Sequence, residues 1–347
     1  MQILLLGERN SERTIFFINA ANELGITVKF VELPSSDAFQ GFDYRVLRNC
    51  AVKIDPPDPH SVCIGMLNAF GLNYSLFLEK MQNISRLKFL NAPEMIAHTL
   101  DKLRCKRTLE EAGVSTPPSI KGVNSVSELR TAMSEKRLGG VFIKPRFGSG
   151  AAGIAAYRRN PKTSEEVIYT SVQMSDGRAC NTKKIRRIHD QREIEAIITD
   201  ILHSGAIVER WIPKAYICGK TYDLRIVWQF GKIESMVARL STGSITNLHL
   251  GGDVLSLDEL PLSNEKQYEI EKLCFKAMSL FPGLNSAGID ILLEQHSLKP
   301  YIIEINGQGD LLYKDVLCGN RIYKNQLFYL DGAVERGTQW TKTIKKG

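Results

Sequence analysis

The sequence predicts an α/β protein with more than one sheet, and two patterns of apolar residues support this fold class. Residues 2–6 have the composition of a buried strand, residues 11–24 that of a helix, and residues 26–33 that of a second strand. This strand–helix–strand order is typical of a parallel sheet. Residues 222–229 and 232–240 instead alternate as an antiparallel pair. The chain therefore combines α/β with α+β organisation.

Prolines mark the breaks between these segments. Residues 55–59 include three prolines and are too rigid for a helix or a central strand. The pair Pro117-Pro118 predicts a linker after helical patterns that reach about Glu111. The remaining elements that we expect are helices near 125–137, 190–204 and 263–280 and strands at 141–144, 153–157 and 206–211.

Composition and charge limit the classes of function. The chain has 347 residues, 43% of them apolar and 24% charged, as in a globular protein of about two or three domains. Its net charge of +7 suits a phosphate-bearing ligand but is too small to indicate nucleic acid. The densest basic run, residues 183–187, fits a solvated lid or helix face better than a nucleic-acid patch. Nucleic-acid binding through residues 183–192 would instead appear as steeply salt-dependent association.

The cysteines and the start of the chain bear on the compartment. The seven cysteines include no C-x-x-C pair, which predicts reduced thiols and argues against a disulfide framework or a zinc site. The apolar start is too short for a signal peptide, and no stretch approaches the ~20 apolar residues that cross a bilayer. We therefore expect a cytoplasmic protein with no membrane partner.

Two segments near the C-terminus, 288–294 and 301–307, predict a metal site. Both have the pattern of buried strands joined by a short polar loop. A hairpin between them places Asp290 opposite Glu304, with Asn306 two residues further along the same face. Two acids and an amide on an apolar face need a positive partner, and all-oxygen ligands suit Mg²⁺. The alternative is three polar residues on a half-exposed hairpin.

A glycine-rich segment follows a short buried strand and predicts a phosphate-binding loop. Lys144 leaves the strand, and Gly148, Ser149 and Gly150 follow it. Glycines let backbone N–H groups approach a phosphate, and a lysine adds a point charge. The alternative is a plain glycine hairpin turn. Only Gly7 marks the turn after the first predicted strand, so the opening strand–helix–strand unit lacks the G-x-G-x-x-G fingerprint of a nicotinamide or flavin site.

The end of the next predicted strand has a mixed character that suits a purine. Glu209, Arg210, Trp211 and Ile212 precede a proline, and Lys214 follows it. Such a segment can offer backbone groups to a base edge while Ile212 packs on its face. The alternative is an ordinary strand end with an amphipathic tryptophan.

The antiparallel pair carries one arginine in each strand, Arg225 and Arg239. Arginine is suited to planar recognition of carboxylate or phosphate, so both are candidates for a catalytic role. In the alternative, each pairs with an acid such as Asp223 or Glu234.

A donor-rich loop, residues 246–252, follows this strand pair. It contains Asn247 and His249 ahead of a Gly-Gly pair. His249 is a candidate base, although a structural hydrogen bond is the commoner role of a lone histidine.

Taken in order, these segments resemble the ATP-grasp superfamily over residues 95–330. The matching residues are Lys102 after Asp101, Lys144, Glu209 to Ile212, Asp223, Arg225, Arg239, Asp290, Glu304 and Asn306. Asn247 and His249 are similar to a loop of the ribosomal-protein glutamate ligase branch, and residues 55–57 resemble bacterial glutathione synthetase. The chain departs from that branch after Asn306, where the branch carries a small residue, Pro and Gly and this chain has Gly307, Gln308 and Gly309. In this family the segment that matches Glu209 to Ile212 is the hinge between two lobes, and an acid that binds ribose follows it. Here Tyr216 stands near that position, and we expect Lys214 to bind the ribose instead.

The resemblance implies an ATP-grasp fold with an N-terminal α/β pre-ATP-grasp domain. The implied boundaries are 1–98 for that domain, 99–330 for the ATP-grasp domain and 331–347 for a polar tail. Within the ATP-grasp domain, we expect a lid lobe over 115–212 and a metal-binding lobe over 213–330.

The activity implied by the resemblance is ATP-dependent ligation of a carboxylate to an amine. Lys102 and Lys144 would bind phosphates, Asp290, Glu304 and Asn306 would hold Mg²⁺ or Mn²⁺, and an acyl-phosphate would form with release of ADP. Asn247 and His249 would contact substrate. The expected partners are ATP, a small-molecule or peptide carboxylate and an amine, and a homo-oligomer stays open. The alternatives are a kinase-type phosphotransferase and a nucleotide-binding regulatory protein with little turnover.

Overall fold

The computed structural model describes residues 2–33, 39, 41–58, 63–84, 87–148, 150–243, 245, 254–309 and 319–332. These residues form three sheets with helices packed against them, which confirms the predicted mixed α/β class. Across the described helices, none combines the length and the apolar character required to span a membrane.

The first sheet is parallel and has the strand order β2-β1-β3-β4. Its strands are β1 (Gln2–Gly7), β2 (Val28–Glu32), β3 (Cys50–Ile54) and β4 (Lys88–Phe89). Helix α1 (Glu12–Glu23) connects β1 to β2 and begins where the Ser11 side chain accepts a hydrogen bond from the Thr14 amide. This arrangement confirms the strand–helix–strand opening. Every residue of β3 is buried, as expected of a strand covered on both faces.

The second sheet is antiparallel, with the order β8-β7-β6-β5-β9. Its strands are β5 (Gly140–Pro145), β6 (Ala155–Arg159), β7 (Glu166–Ser175), β8 (Arg178–Ile188) and β9 (Ala206–Arg210). Helices α5 (Val126–Glu135) and α6 (Gln191–His203) cover one face, where Val141 and Ile143 join their apolar side chains in a common core. The basic run 183–187 belongs to β8, so the expectation of a helix face was wrong.

The third sheet has the order β13-β12-β11-β14-β15, with β10 also paired to β11. Its strands are β10 (Tyr216–Ile217), β11 (Lys220–Gln229), β12 (Lys232–Ser241), β13 (Val254–Ser256), β14 (Ser286–Leu293) and β15 (Pro300–Asn306). Helix α7 (Asn264–Met278) supplies Ile270 and Cys274 to the core beneath this sheet. The antiparallel β11–β12 pair confirms the prediction for residues 222–240.

The remaining helices join the sheets. Helix α2 (Ile64–Gln82) follows the first sheet, and its first residues, Ile64 and Leu67, enter the core of the second sheet. Helices α3 (Pro93–Leu100) and α4 (Lys102–Glu111) connect the first sheet to the second. Helix α8 (Arg321–Leu330) returns to the first sheet, where Tyr323 packs against α1. The sequence pattern did not reveal α8.

Asn91, which follows β4, is one of the side chains that join the first sheet to the third. Its Nδ2 donates to the carbonyl oxygens of Ser286 (2.7 Å) and Gly307 (2.6 Å), and its Oδ1 accepts from the Ser286 amide at 2.8 Å. Ser286 begins β14 and Gly307 follows β15. Asn91 therefore closes the base of the β14–β15 hairpin.

One pair of cysteines contradicts the expectation that all seven are thiols. Cys63, at the start of α2, forms a disulfide with Cys180 in β8 across 117 residues of sequence. Among the other described cysteines, Cys50 and Cys105 are buried thiols whose pKa is raised by burial. Sequence spacing did not reveal the pair because Cys63 lies at the start of a helix and Cys180 in a strand far along the chain.

Candidate active site

The β14–β15 hairpin has the register that the sequence predicts. Asp290 lies opposite Glu304, and Gly288 lies opposite Asn306. The register shifts after Asp290, so the hairpin is irregular at the acidic pair. The Asp290 side chain is 11% exposed, whereas the Glu304 side chain is 24% exposed.

Two arginines from neighbouring strands hold Asp290. Arg225 on β11 lies beside it, with Nε 2.8 Å from Oδ1, and Arg239 on β12 places Nη2 at 3.1 Å from Oδ2. Burial by itself would lower the pKa of Arg239, but Asp290 and Asp223 outweigh it and raise that pKa. The Arg239 guanidinium therefore carries its positive charge at the hairpin, next to the acids.

A second buried acid, Asp223, completes this network. It is 2% exposed, and its carboxylate contacts Arg239 Nε at 2.7 Å and Lys214 Nζ at 2.8 Å. Burial would raise the pKa of Asp223, but Lys214 and Arg239 together hold it below its ordinary value. The alternative, in which each arginine pairs with an acid, therefore describes both residues: Arg239 pairs with Asp223, and Arg225 pairs with Asp290. Lys214 binds Asp223, and its contact with a ribose stays a prediction.

Lys102 connects the hairpin to the glycine loop. It is the first residue of α4, whose N-cap is Asp101; the Asp101 carboxylate accepts from the amides of the next turn. The Lys102 ammonium lies 3.1 Å from Glu304 Oε1 and donates a hydrogen bond to the carbonyl oxygen of Gly148. The predicted phosphate lysine therefore contacts both the predicted metal strand and the predicted phosphate loop.

The loop itself needs its glycines. Gly148 and Gly150 have positive φ angles of 130° and 63°, a region that side chains with a Cβ rarely adopt. At Gly153 (φ 73°) a Cβ would lie 2.4 Å from Pro145 Cγ. The loop is anchored by Arg146, whose Nη2 lies 2.5 Å from Asp101 Oδ2. Ser149 lies outside the described residues.

A buried carboxylate, Glu209, is held between two lysines. Lys144 Nζ lies 2.6 Å from Oε2, and Lys106 Nζ lies 2.7 Å from Oε1. Lys106 also donates to the Pro117 carbonyl oxygen. Burial would raise the pKa of Glu209, but Lys144 and Lys106 hold it below its ordinary value. Burial also lowers the pKa of Lys106 more than its acidic neighbours raise it.

Sequence reasoning missed Lys106. It follows Lys102 by four residues, so both lie on one face of α4, and that spacing was the available signal. Its position on a helix ahead of a proline linker gave no indication that a strand end far along the chain carries its partner.

The hinge after β9 has a mixed exposure. Arg210 is exposed, Ile212 is 4% exposed, and the Trp211 ring packs on Phe142 with centroids 4.9 Å apart. The Trp211 amide donates to the Gly140 carbonyl oxygen at 3.1 Å. The contact of these residues with a purine stays a prediction, as do substrate contacts of Asn247 and His249, which lie outside the described residues.

The oxygen donors at the hairpin suit a magnesium ion. Within the described part of the chain, no three His, Cys, Asp or Glu side chains cluster as a metal site, and the set here has two carboxylates and one amide. Carboxylate and amide oxygens are the ligand type that Mg²⁺ prefers, usually together with waters and substrate phosphates. Glu304 retains exposure for such a ligand, whereas Asp290 would have to share its oxygens with the arginines.

Gln308 explains the departure in sequence after Asn306. Its Nε2 donates to the Ile54 carbonyl oxygen and to the Tyr74 hydroxyl, both at 2.9 Å, and its own carbonyl oxygen accepts from Arg13. Burial raises the pKa of Tyr74, which is neutral. Gln308 therefore ties the end of β15 to the carboxyl end of β3 in the first sheet.

The chain is similar in sequence to one described family. Residues 97–311 match the family of YheC/D-like ATP-grasp proteins. This span includes Lys102, Lys144, Glu209 and the hairpin residues Asp290 and Glu304. No curated protein matches the sequence significantly.

Several solved structures have a similar fold. D-cycloserine synthetase DcsG is 12% identical, with a TM-score of 0.63 over 94% of this chain and 98% of that one. D-alanine–D-alanine ligase from Bacillus anthracis is 14% identical, with a TM-score of 0.58 over 97% and 98%. The ATP-grasp ligase PsnB, solved with its minimal precursor, Mg and ADP, is 13% identical, with a TM-score of 0.57 over 96% and 98%. The likeness covers nearly the whole chain, and at these low identities it concerns the fold alone.

Proposed function

The chain belongs to the YheC/D-like ATP-grasp family, and on that premise we propose that it is an ATP-dependent carboxylate–amine ligase that releases ADP and phosphate. The observation that carries the proposal is the double contact of Lys102, which joins Glu304 to the Gly148 carbonyl oxygen. A hairpin of acids, a glycine loop and a lysine that touches both make one continuous charged surface. Such a surface suits a nucleoside triphosphate and the metal ions bound to its phosphates.

The nucleotide would lie between the second and third sheets. Lys144, the last residue but one of β5, would reach the phosphates, because its partner Glu209 shares its negative charge with Lys106. The glycine loop would cover the phosphates with backbone N–H groups. Glu209, Arg210 and Ile212 would line the base, as the resemblance implies.

Asp290, Glu304 and Asn306 would hold the metal. Bound Mg²⁺, or Mn²⁺, would neutralise charge on the transferred phosphate and keep the attacking and leaving oxygens in line. Arg225 and Arg239 would orient Asp290 through their ion pairs until then. They are also placed to stabilise negative charge that develops beside Asp290.

The chemistry has two transfers. An oxygen of the substrate carboxylate attacks the γ-phosphorus of ATP, the bond to the β-phosphate oxygen breaks, and an acyl-phosphate and ADP result. An amine nitrogen then attacks the acyl carbon, the C–O bond to phosphate breaks, and an amide, inorganic phosphate and a proton are released. The loop over the phosphates would exclude water, which otherwise hydrolyses the acyl-phosphate.

A screen for phosphate release tests this proposal. The protein is incubated with ATP, Mg²⁺ and panels of amino acids and peptides, and hydroxylamine is added to trap any acyl-phosphate as a hydroxamate. We expect phosphate and hydroxamate only with a carboxylate substrate. Asp290→Asn should abolish both, whereas Asp258→Asn, an exposed position of the same lobe, should not.

The other outcomes separate the alternatives. Phosphate transfer to a hydroxyl acceptor without hydroxamate would replace the ligase by a kinase-type enzyme. Absence of ADP with every acceptor would favour a regulatory nucleotide-binding protein. Equal turnover by Asp290→Asn and the unmodified protein would show that the metal assignment is wrong.

A further inference from the structure

A second concave site lies at the far end of the second sheet, beyond the hinge. It has a volume of about 1090 Å³, and its lining includes arginines from five separate positions. We call this site the arginine groove and define it by Arg137, Arg158, Arg159, Arg187, Arg210 and Trp211. The resemblance and the ligase proposal assign Arg210 and Trp211 to the hinge, but they assign no role to the other four arginines of the groove.

The groove has an excess of positive charge. Its buried acid, Glu166, is neutralised by Arg130 at 2.7 Å and Arg159 at 3.3 Å. Among the residues that the structure describes, no carboxylate forms an ion pair with the other four groove arginines: Arg137, Arg158, Arg187 and Arg210. Like charges gathered in a concavity repel one another, and an anion relieves that repulsion.

Two of these arginines lie over aromatic rings. The Arg158 guanidinium lies 4.5 Å from the centre of the Trp211 ring, and that of Arg187 lies 5.8 Å from the Tyr169 ring. Gly140 lies beneath the first pair, since a Cβ there would lie 3.1 Å from Trp211 and 3.2 Å from Arg158. A stacked guanidinium keeps its N–H edge available, which favours bidentate binding of carboxylate or phosphate.

The groove and the predicted phosphate site are the two ends of one strand. Strand β5 begins at Gly140, which lines the groove, and reaches Lys144 four residues later. This separation corresponds to about 13 Å along an extended strand. A peptide of comparable extended length therefore spans the distance from the groove to the phosphates.

We propose that the arginine groove binds an acidic segment of a peptide substrate, whose reactive carboxylate lies a few residues away from that segment. This inference rests on the proposed ligase function, because it assumes that a carboxylate is activated near Lys144. A short peptide suits the site better than nucleic acid. A protein that binds nucleic acid through its backbone makes about 6–10 phosphate contacts along a stripe, whereas the groove offers four unpaired arginines in one concavity.

The test is a binding measurement on the full chain. The probe is fluorescein-labelled hexaglutamate, followed by anisotropy at low and at high NaCl. The groove variant is Arg158→Glu with Arg187→Glu. The matched control is Lys121→Glu with Arg178→Glu, two exposed positions outside the groove that make the same change in charge. We expect the groove variant to bind hexaglutamate at least about tenfold more weakly than the control variant.

A second measurement keeps this test separate from the ligase proposal. Binding of a fluorescent ATP analogue should be the same in the groove and control variants, and it also reports that both are folded. If ATP is not turned over but the groove variant alone loses hexaglutamate, the ligase proposal fails and the acidic-peptide site stands. Equal hexaglutamate binding by the two variants overturns the site. Tighter binding of a single-stranded RNA 12-mer than of hexaglutamate, lost in the groove variant, assigns the groove to nucleic acid instead.

Discussion

Replacing Lys106 by methionine tests whether the two lysines around Glu209 stabilise the packing of α4 on the second sheet. Methionine keeps most of the apolar length of the side chain but removes the ammonium. Glu209, 3% exposed, then retains one ion-pair partner, Lys144 at 2.6 Å, and loses the contact of 2.7 Å to Lys106. The Pro117 carbonyl oxygen also loses its donor.

The expected loss of stability follows from that geometry. Removing one partner of a buried ion pair destabilises a protein by about 3–5 kcal/mol. Because Lys144 stays in place, we expect the lower end, about 3 kcal/mol, which corresponds to a fall in Tm of about 6–12 °C. Lys144 would also be held more strongly by Glu209, so we expect the KM for ATP to rise.

The dependence of this loss on pH has a definite sign. The pKa of Glu209 is lowered in the folded protein, so the stability that it contributes is present above its ordinary pKa of 4.5 and is lost as the pH falls through the lowered value. Without Lys106 the folded pKa rises toward its ordinary value. The difference in stability between Lys106→Met and the unmodified protein should therefore be largest above pH 5 and shrink as the solution is acidified.

Thermal and urea unfolding measure these effects. Lys121→Met, at an exposed position, is the matched control and should change stability by less than about 0.5 kcal/mol. Lys106→Met combined with Glu209→Gln should be more stable than the sum of the single changes predicts, because the uncompensated carboxylate is gone. A Lys106→Met protein with an unaltered Tm, or strict additivity in this cycle, would refute the reasoning.

The remaining predictions concern the hairpin, its support and the cysteine pair. Glu304→Gln should raise the Mg²⁺ concentration for half-maximal ATP turnover at least about tenfold, whereas Glu294→Gln at the other end of the hairpin should leave it unchanged; equal effects would contradict the site. Gln308→Ala removes two hydrogen bonds of 2.9 Å, so urea unfolding should show a loss of about 2 kcal/mol, and an unchanged midpoint would contradict its supporting role. Digestion of protein purified without reductant should yield a peptide of Cys63 cross-linked to one of Cys180, and reduction should lower the Tm; two separate thiol peptides would contradict the bridge.

The hairpin shows what local sequence can determine. The opposition of Asp290 and Glu304 follows from the period of two in a strand and from a loop that is too short for any other connection, so sequence alone predicted it. The same reasoning predicted the β11–β12 pair. Strands β7 and β8 were not predicted because their alternation is polar on the exposed face, and the charges of residues 183–187 suggested a helix face or lid.

Contacts between distant segments were out of reach of such reasoning. Arg225 and Arg239 were found as charged residues in strands, but their shared partner Asp290 depends on the order of strands in the third sheet. Lys106 and Cys63 meet their partners only after the second sheet has packed on α4 and α2. Gln308 differs from the pattern of similar proteins, and only the fold relates that difference to the first sheet.

Asn91 has a consequence for the order in which the molecule assembles. Its amide makes bonds to Ser286 and Gly307, residues that lie 195 and 216 positions later in the chain. Closing loops of that length is entropically unfavourable, and contacts between distant residues form slowly. During synthesis from the N-terminus, the Asn91 side chain cannot form these hydrogen bonds until the β14–β15 hairpin has been synthesised. The acidic pair therefore reaches its final geometry among the last events of folding, so a partly folded chain presents Lys102 and Lys144 before Asp290 and Glu304, the predicted metal ligands, are in register.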